Sequence, residues 1–112
     1  MTKTFLLILC AMSLSGNAHS MTIKEYEGTR NNKQQWPITL IYLNGVGVGA
    51  TLSASVLQQQ RRAPLFCQPK AIQLKQEDYI KLIDAFIAKN KVEDAPVESI
   101  LLLALATAFP CA

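Results

Sequence analysis

The alternation of apolar and polar positions predicts two helices in the C-terminal part of the chain, joined by a short polar turn. From Ile72 to Lys89, apolar residues recur at three- and four-residue spacing, which is typical of an amphipathic helix. From Val97 onward nearly every residue is apolar until Pro110, so a helix here needs burial on more than one side. Its predicted N-cap is Asp94, followed by a proline early in the helix. Helices joined by so short a turn are expected to pack antiparallel.

A third predicted element is the run from Pro37 to Leu57, which contains no charged residue. Its length is that of a membrane span, and Gly45 and Gly49 have the spacing that lets two helices approach closely. Polar residues and glycines within the run favour instead a helix buried in a small bundle. A pair of strands is a further alternative, because Ile38 to Tyr42 is rich in β-branched residues. The preferred prediction is the buried helix.

The N-terminal part of the chain has the character of an export signal followed by a polar segment. Met1 to Ser20 combine Lys3, an apolar run and a small-residue end, the three parts of a secretory signal. We therefore predict a signal peptide over residues 1–20, cleaved after Ser20, and a single mature domain over residues 21–112. Residues 21–35 are polar and contain helix-breaking glycine and asparagine, which predicts a flexible arm with room for a short helical turn.

Removal of the signal takes Cys10 away and leaves two cysteines, Cys67 and Cys111. An even pair in an exported protein indicates a disulfide, with two free buried thiols as the alternative. Closing a loop of about 44 residues would stabilise the fold by ~4 kcal/mol in the loop-closure account. That is a large share of the stability of a domain of about 92 residues. The predicted fold class is all-α, a small helical bundle of three to four helices with one disulfide.

The mature chain offers little reaction chemistry. Its only histidine, His19, leaves with the signal, so the usual general base and metal ligand are lost. Each carboxylate has a helix-capping or solvated position, and the Gly45 to Gly49 run lacks the lysine of a phosphate-binding loop. We expect no enzymatic activity, no catalytic residue, no cofactor and no metal. The net charge of +3, about +2 once Lys3 is lost, is too small for a nucleic-acid-binding surface.

Two polar tips of the predicted bundle are candidate protein-binding surfaces, because a rigid protrusion with a polar rim can occlude another protein's cleft. The candidate partner-binding residues are Gln60, Arg61, Arg62, Asn90, Lys91, Glu93 and Asp94. The two arginines also have an ordinary explanation, since cations complement the C-terminal end of a helix. The small residues Gly45, Gly49 and Ser53 fit a homodimer as well as an intramolecular contact.

Three segments carry motifs of a known family. They are Phe66-Cys67-Gln68-Pro69, the ending ALATAFPC from Ala104 to Cys111, and YLNGV from Tyr42 to Val46. On these residues the chain resembles the Rap/Tai family of periplasmic immunity proteins, which neutralise cell-wall amidase effectors delivered by type VI secretion. The resemblance implies an all-helical fold, a disulfide between Cys67 and Cys111, a periplasmic location and a secreted peptidoglycan amidase as the protein partner.

The chain also departs from the family, because many relatives carry a second cysteine pair before and at the start of the helix that begins near Trp36. Two other functions stay open. One is a non-catalytic envelope binding or structural module on the same scaffold. The other is a small membrane protein that spans the bilayer at Pro37 to Leu57. The preferred prediction is an immunity protein that occludes its effector, outside the membrane and without nucleic acid.

Overall fold

The computed structural model describes residues 20–112, so the predicted signal peptide, apart from Ser20, lies outside the described residues. These residues form four helices and contain no strand, which confirms the predicted all-α bundle with one disulfide. The helices are α1 (Ile23–Thr29), α2 (Trp36–Gln59), α3 (Gln76–Lys89) and α4 (Val97–Ala108).

The core lies where α2, α3 and α4 meet. As predicted from the short turn between them, α3 and α4 pack side by side as an antiparallel hairpin. The first turn of α3 lies beside the middle of α2, because the ring of Tyr79 packs against Gly47. Further along α3, Asp84 bonds to Arg30, which precedes α2, so α2 and α3 are antiparallel as well. The largest fully buried side chains in this core are Leu43, Phe66, Tyr79, Ile83, Ile100, Leu101 and Leu105.

Two predicted helix starts are wrong, one by four residues and the other by two. The helix predicted from Ile72 begins at Gln76, because the carboxylate of Asp78 accepts a hydrogen bond from the Lys75 N–H (2.8 Å) and fixes the start there. Asp94 does not cap α4. The helix begins at Val97, with the extended Pro96 at the N-cap position. The Val97 N–H instead donates to the Met21 carbonyl (2.8 Å), so a distant segment replaces the expected side-chain cap.

The segment 21–35, expected to be a flexible arm, is folded onto the bundle. Thr22 and Glu25 form a capping box that starts α1 at Ile23. The Ile23 N–H donates to the Ala95 carbonyl (2.9 Å). Tyr26 has no solvent exposure, and the short helical turn expected here is thus a buried helix. The polar composition concealed this packing, because only two of the seven residues of α1, Ile23 and Tyr26, are buried apolar side chains.

The uncharged run forms a helix, as preferred, but its expected burial is wrong. Of the 24 residues of α2, only four are buried. Those four, at intervals of four or seven residues, lie on the side of α2 that packs against the other helices, while the opposite side of α2 is open. The strand alternative is excluded. Pro37 stands at the start of the helix, where its missing N–H has no consequence. The buried residues are Thr39, Leu43, Gly47 and Ala54.

Candidate functional site

The disulfide end of the bundle brings together two of the motifs noted in the sequence. Cys67 and Cys111 are bonded, with their Cα atoms 4.9 Å apart, which confirms the predicted pair and excludes free thiols. The Cys67 N–H donates to the Phe109 carbonyl (2.8 Å). Phe66 is buried beside them. The chain after α4 is thereby fastened to the linker that follows α2.

The first predicted tip, which we call the basic tip, consists of Gln60, Arg61 and Arg62 and lies at this same end. Arg61 has a positive φ of 55°, so the backbone turns sharply where α2 stops. The Arg62 N–H donates to the Leu57 carbonyl (2.8 Å), which closes the turn onto the helix. All three side chains are exposed. Two cations therefore stand on a backbone that is fixed by hydrogen bonds.

The second predicted tip, the polar turn of Asn90, Lys91, Glu93 and Asp94, lies between α3 and α4. Its backbone is held by α1, because the Lys24 N–H donates to the Glu93 carbonyl (3.0 Å). The amide of Asn90 donates to the Phe86 carbonyl (2.9 Å) at the end of α3. The four side chains are exposed. The polar turn is thus a rigid, mixed-charge surface.

The structure does not bring the two tips together. The polar turn is bound to α1, close to the start of α2, whereas the basic tip follows the end of α2. A helix of 24 residues is about 36 Å long, and this length separates the two surfaces. A single small cleft in a partner can therefore accept one tip and not both.

A polar cluster fastens α1 to α3. It was not predicted from the sequence. The Arg30 guanidinium donates to Asp84 Oδ1 (2.7 Å) and to the Tyr26 hydroxyl (2.6 Å), and that hydroxyl donates to Asp84 Oδ1 (2.8 Å). The guanidinium also lies 4.4 Å from the centre of the Trp36 ring, a cation–π contact. Burial, then the hydrogen bond to Asp84, raises the pKa of Tyr26. Tyr26 therefore keeps its proton, and its hydrogen bond to Asp84 helps to anchor α1 to α3.

A second polar contact joins α2 to the start of α4. The Tyr42 hydroxyl donates to Oε1 of Glu98, and this hydrogen bond, followed by burial, raises the pKa of Tyr42 to about 12. The other oxygen, Oε2, is buried without a hydrogen-bond partner among residues 20–112. Glu98 stands in the first turn of α4, where the helix dipole favours a negative charge.

The open side of α2 is the largest departure from the sequence-based prediction. We call it the α2 face. Its large side chains are well exposed, with 68% for Ile38, 70% for Ile41 and 61% for Leu52. An added Cβ at Gly45 or Gly49 would meet nothing within 4 Å in the described chain. The residues of the α2 face are Ile38, Ile41, Tyr42, Gly45, Val48, Gly49, Leu52 and Val56.

The sequence contains a spacing pattern that indicates this face. The positions Ile38, Ile41, Gly45, Val48 and Leu52 follow one another at alternating intervals of three and four residues. This spacing places them on one stripe of a helix, as in a coiled-coil seam. The four buried residues of α2 form a separate stripe. A run that is apolar on two sides needs two partners, and the bundle supplies one.

Within residues 20–112, α2 is also the helix that is long and apolar enough to span a membrane. Only 17% of its most apolar stretch is buried in the bundle.

No group of three or more metal-ligating side chains comes together in this same range. Comparison of the chain with protein-family models, with curated proteins and with solved structures gives no match. The site must therefore be interpreted from its own residues.

Proposed function

We propose that this chain is an exported immunity protein, which binds a peptidoglycan amidase delivered by type VI secretion and occludes its active-site cleft. The observation that carries the proposal is the meeting of the segments FCQP and ALATAFPC at the Cys67–Cys111 disulfide. These segments carry the resemblance to the Rap/Tai immunity proteins. Their junction fixes the linker that follows the basic tip, so the motifs and a candidate binding surface belong to one structural unit.

The basic tip is the better candidate for the occluding surface, because it projects from the bundle. Tyr79, in the first turn of α3, lies beside Gly47 and 3.4 Å from the Thr51 hydroxyl. The last two turns of α2 therefore extend beyond the start of α3. Projection suits insertion into a cleft, and a backbone already fixed by hydrogen bonds loses little entropy on binding.

A protection experiment tests this function. The product of the neighbouring gene, which this function requires to be a secreted peptidoglycan amidase, is expressed in the periplasm of a susceptible strain, with and without the exported chain. We expect survival only when the chain is present, together with a complex of the two purified proteins. Lysis at equal rates in both strains, with no complex at micromolar concentrations, contradicts the proposal.

Charge reversal distinguishes the two tips. The variant Arg61→Glu with Arg62→Glu should weaken binding at least about tenfold, because two cations become anions at the contact. The matched control is Lys91→Glu at the polar turn, which changes an exposed cation at the other end of the molecule. Loss of binding in the control alone would assign occlusion to the polar turn.

One observation favours a second candidate function, a membrane-associated protein of the envelope. It is the low burial of α2, a helix long and apolar enough to span a bilayer. Osmotic shock separates the two candidates, since it releases a protein of the periplasmic fluid and leaves a spanning protein in the membrane. We expect release.

A further inference from the structure

The first residues of the predicted mature chain are held by the segment that leads into α4. The Val97 N–H donates to the Met21 carbonyl (2.8 Å), and the Ile23 N–H donates to the Ala95 carbonyl (2.9 Å). These hydrogen bonds join the two segments as a short antiparallel pair. The backbone is therefore fixed from Met21 onward, and Met21 is the residue that cleavage after Ser20 leaves at the N-terminus.

A carboxylate lies within reach of the amine that cleavage creates. Oε2 of Glu25 accepts a hydrogen bond from the Thr22 N–H (2.9 Å). Successive backbone nitrogens are at most about 3.7 Å apart, so the Met21 nitrogen lies within about 6.6 Å of that oxygen. Once the preceding peptide bond is cut, the amine can turn about the Met21 Cα–C bond while its carbonyl stays on Val97. An opposite charge at this separation favours the protonated amine.

The surroundings of Met21 favour this pairing over others. Met21 and Glu25 line one cavity with the start of α2, a helix that carries no charge. The partial positive charge at the start of α1 opposes an ammonium, but the full charge of a carboxylate outweighs it. Among the other titratable groups, Tyr42 and Glu98 are hydrogen-bonded to each other, and three are exposed to water. These three are Lys24 on α1 and Glu93 and Asp94 in the polar turn.

We infer that the α-ammonium formed at Met21 by signal cleavage pairs with the Glu25 carboxylate and holds α1 on the bundle. Hydrolysis of the bond after Ser20 consumes one water and leaves a carboxylate on Ser20 and an ammonium on Met21. Before cleavage the same nitrogen belongs to an uncharged peptide bond, so the ion pair forms only in the processed chain. The inference rests on the export signal of the proposed function and is independent of the amidase.

The first test compares the chain that begins at Met21 with a chain extended by several neutral residues. Both are released from fusion proteins with defined N-termini, and amide hydrogen exchange is measured near pH 6.5. The extension should increase the opening of Ile23–Thr29 about two- to fivefold, the range of an exposed ion pair. Equal exchange in the two chains would overturn the inference.

Three variants assign the carboxylate. Glu25→Gln keeps an acceptor for the Thr22 N–H but removes the charge, so the extension should then have no effect. Glu27→Gln makes the same change at an exposed position of α1 and should preserve the effect of the extension. If Glu98→Gln abolished the effect and Glu25→Gln preserved it, the pairing with Glu25 would be wrong.

The second test is the pKa of the terminal amine, obtained from an NMR pH titration of the Thr22 amide. An ordinary α-amine titrates at about 7.7–8.0, and the ion pair should raise the pKa above this range in the mature chain. The contribution to stability is then complete below about pH 8 and is lost as the pH rises through the raised value. An ordinary value in the unaltered chain would contradict the pairing, whereas Glu25→Gln should give one.

Mass spectrometry of the exported protein provides the remaining check. We expect an N-terminus at Met21, and a mature chain that begins at any other residue overturns the inference even where immunity is observed. A raised amine pKa without protection against an amidase would support the ion pair and reject the proposed partner.

Discussion

The aromatic ring of Tyr79 lies on the backbone of Gly47, so closely that a Cβ added at Gly47 would stand 2.6 Å from the ring. Tyr79 is buried, and its hydroxyl lies near that of Thr51, so the ring has little freedom to move away. The contact between α2 and α3 therefore depends on the absence of a side chain at this one position of α2.

The variant Gly47→Ala should lower the free energy of unfolding by about 1–3 kcal/mol, because the methyl group forces the Tyr79 ring or α3 to shift. This cost exceeds the gain of up to about 1 kcal/mol that alanine brings inside a helix. Denaturant unfolding of dilute protein measures the difference.

Gly45→Ala and Gly49→Ala provide the matched controls, because the added Cβ is open at both positions. In dilute protein, both should leave the free energy of unfolding unchanged or raise it by up to ~1 kcal/mol. If all three variants lost equal stability, the close packing of Tyr79 on Gly47 would not be the cause.

Removal of the disulfide should cost a large part of the stability. The double variant Cys67→Ser with Cys111→Ser should lose about 4 kcal/mol, because the unfolded chain regains the entropy of a loop of 44 residues. Reductant should destabilise the unaltered protein and leave the double variant unaffected. Alkylation of both thiols in folded, unreduced protein would contradict the bonded pair.

The fold class was predictable because its determinants are local or simple to count. Three- and four-residue spacing of apolar side chains identified α3, and an even cysteine pair behind an export signal identified the disulfide. The start of α4 was not predictable in this way. The partner of the Val97 N–H is the Met21 carbonyl, which is far away in the sequence and has no side-chain signature.

The attachment of α1 depends on the ion pair between Arg30 and Asp84. Asp84→Ala should lower the free energy of unfolding by about 1 kcal/mol or less, since both side chains are more than a third exposed and water screens their charges. The larger effect should be faster amide hydrogen exchange in Ile23–Thr29. Glu77→Ala, which removes an exposed carboxylate of α3, should leave exchange in α1 unchanged. Equal effects of the two variants would contradict the anchor.

Alkaline pH should destabilise the protein through Tyr42. The pKa of Tyr42 is raised to about 12, whereas the phenol of an unfolded chain ionises near pH 10. The native state thus keeps a proton that the unfolded state releases. The contribution of the Tyr42 proton to the free energy of unfolding is complete below about pH 10. It is lost as the pH rises through the folded-state pKa of about 12.

Tyr42→Phe removes this ionisation and should flatten the fall in stability between about pH 10 and pH 12. The raised pKa of Tyr26 leaves part of the decline in place. Unfolding by denaturant at several alkaline pH values measures the slope. A variant with the same slope as the unaltered protein would show that the hydrogen bond to Glu98 does not hold the proton.

The candidate surfaces could be predicted from the sequence only in part. Arg61 and Lys91 are charged residues between helices, and such residues are expected on the outside of a bundle. Their separation, however, follows from the length and direction of α2, which requires the packed structure. The exposure of Ile41 and Leu52 was not expected, because a run of apolar residues shows that burial is needed and does not show which molecule provides it.

The most direct test of the central claim is the rate at which the product of the neighbouring gene, expected to be an amidase, cleaves peptidoglycan while purified exported chain is added. We predict a stoichiometric loss of amidase activity. With Arg61→Glu and Arg62→Glu introduced together, half-inhibition should require at least about tenfold more chain, whereas Lys91→Glu should inhibit as the unaltered chain does. Undiminished cleavage in the presence of excess folded chain would contradict it.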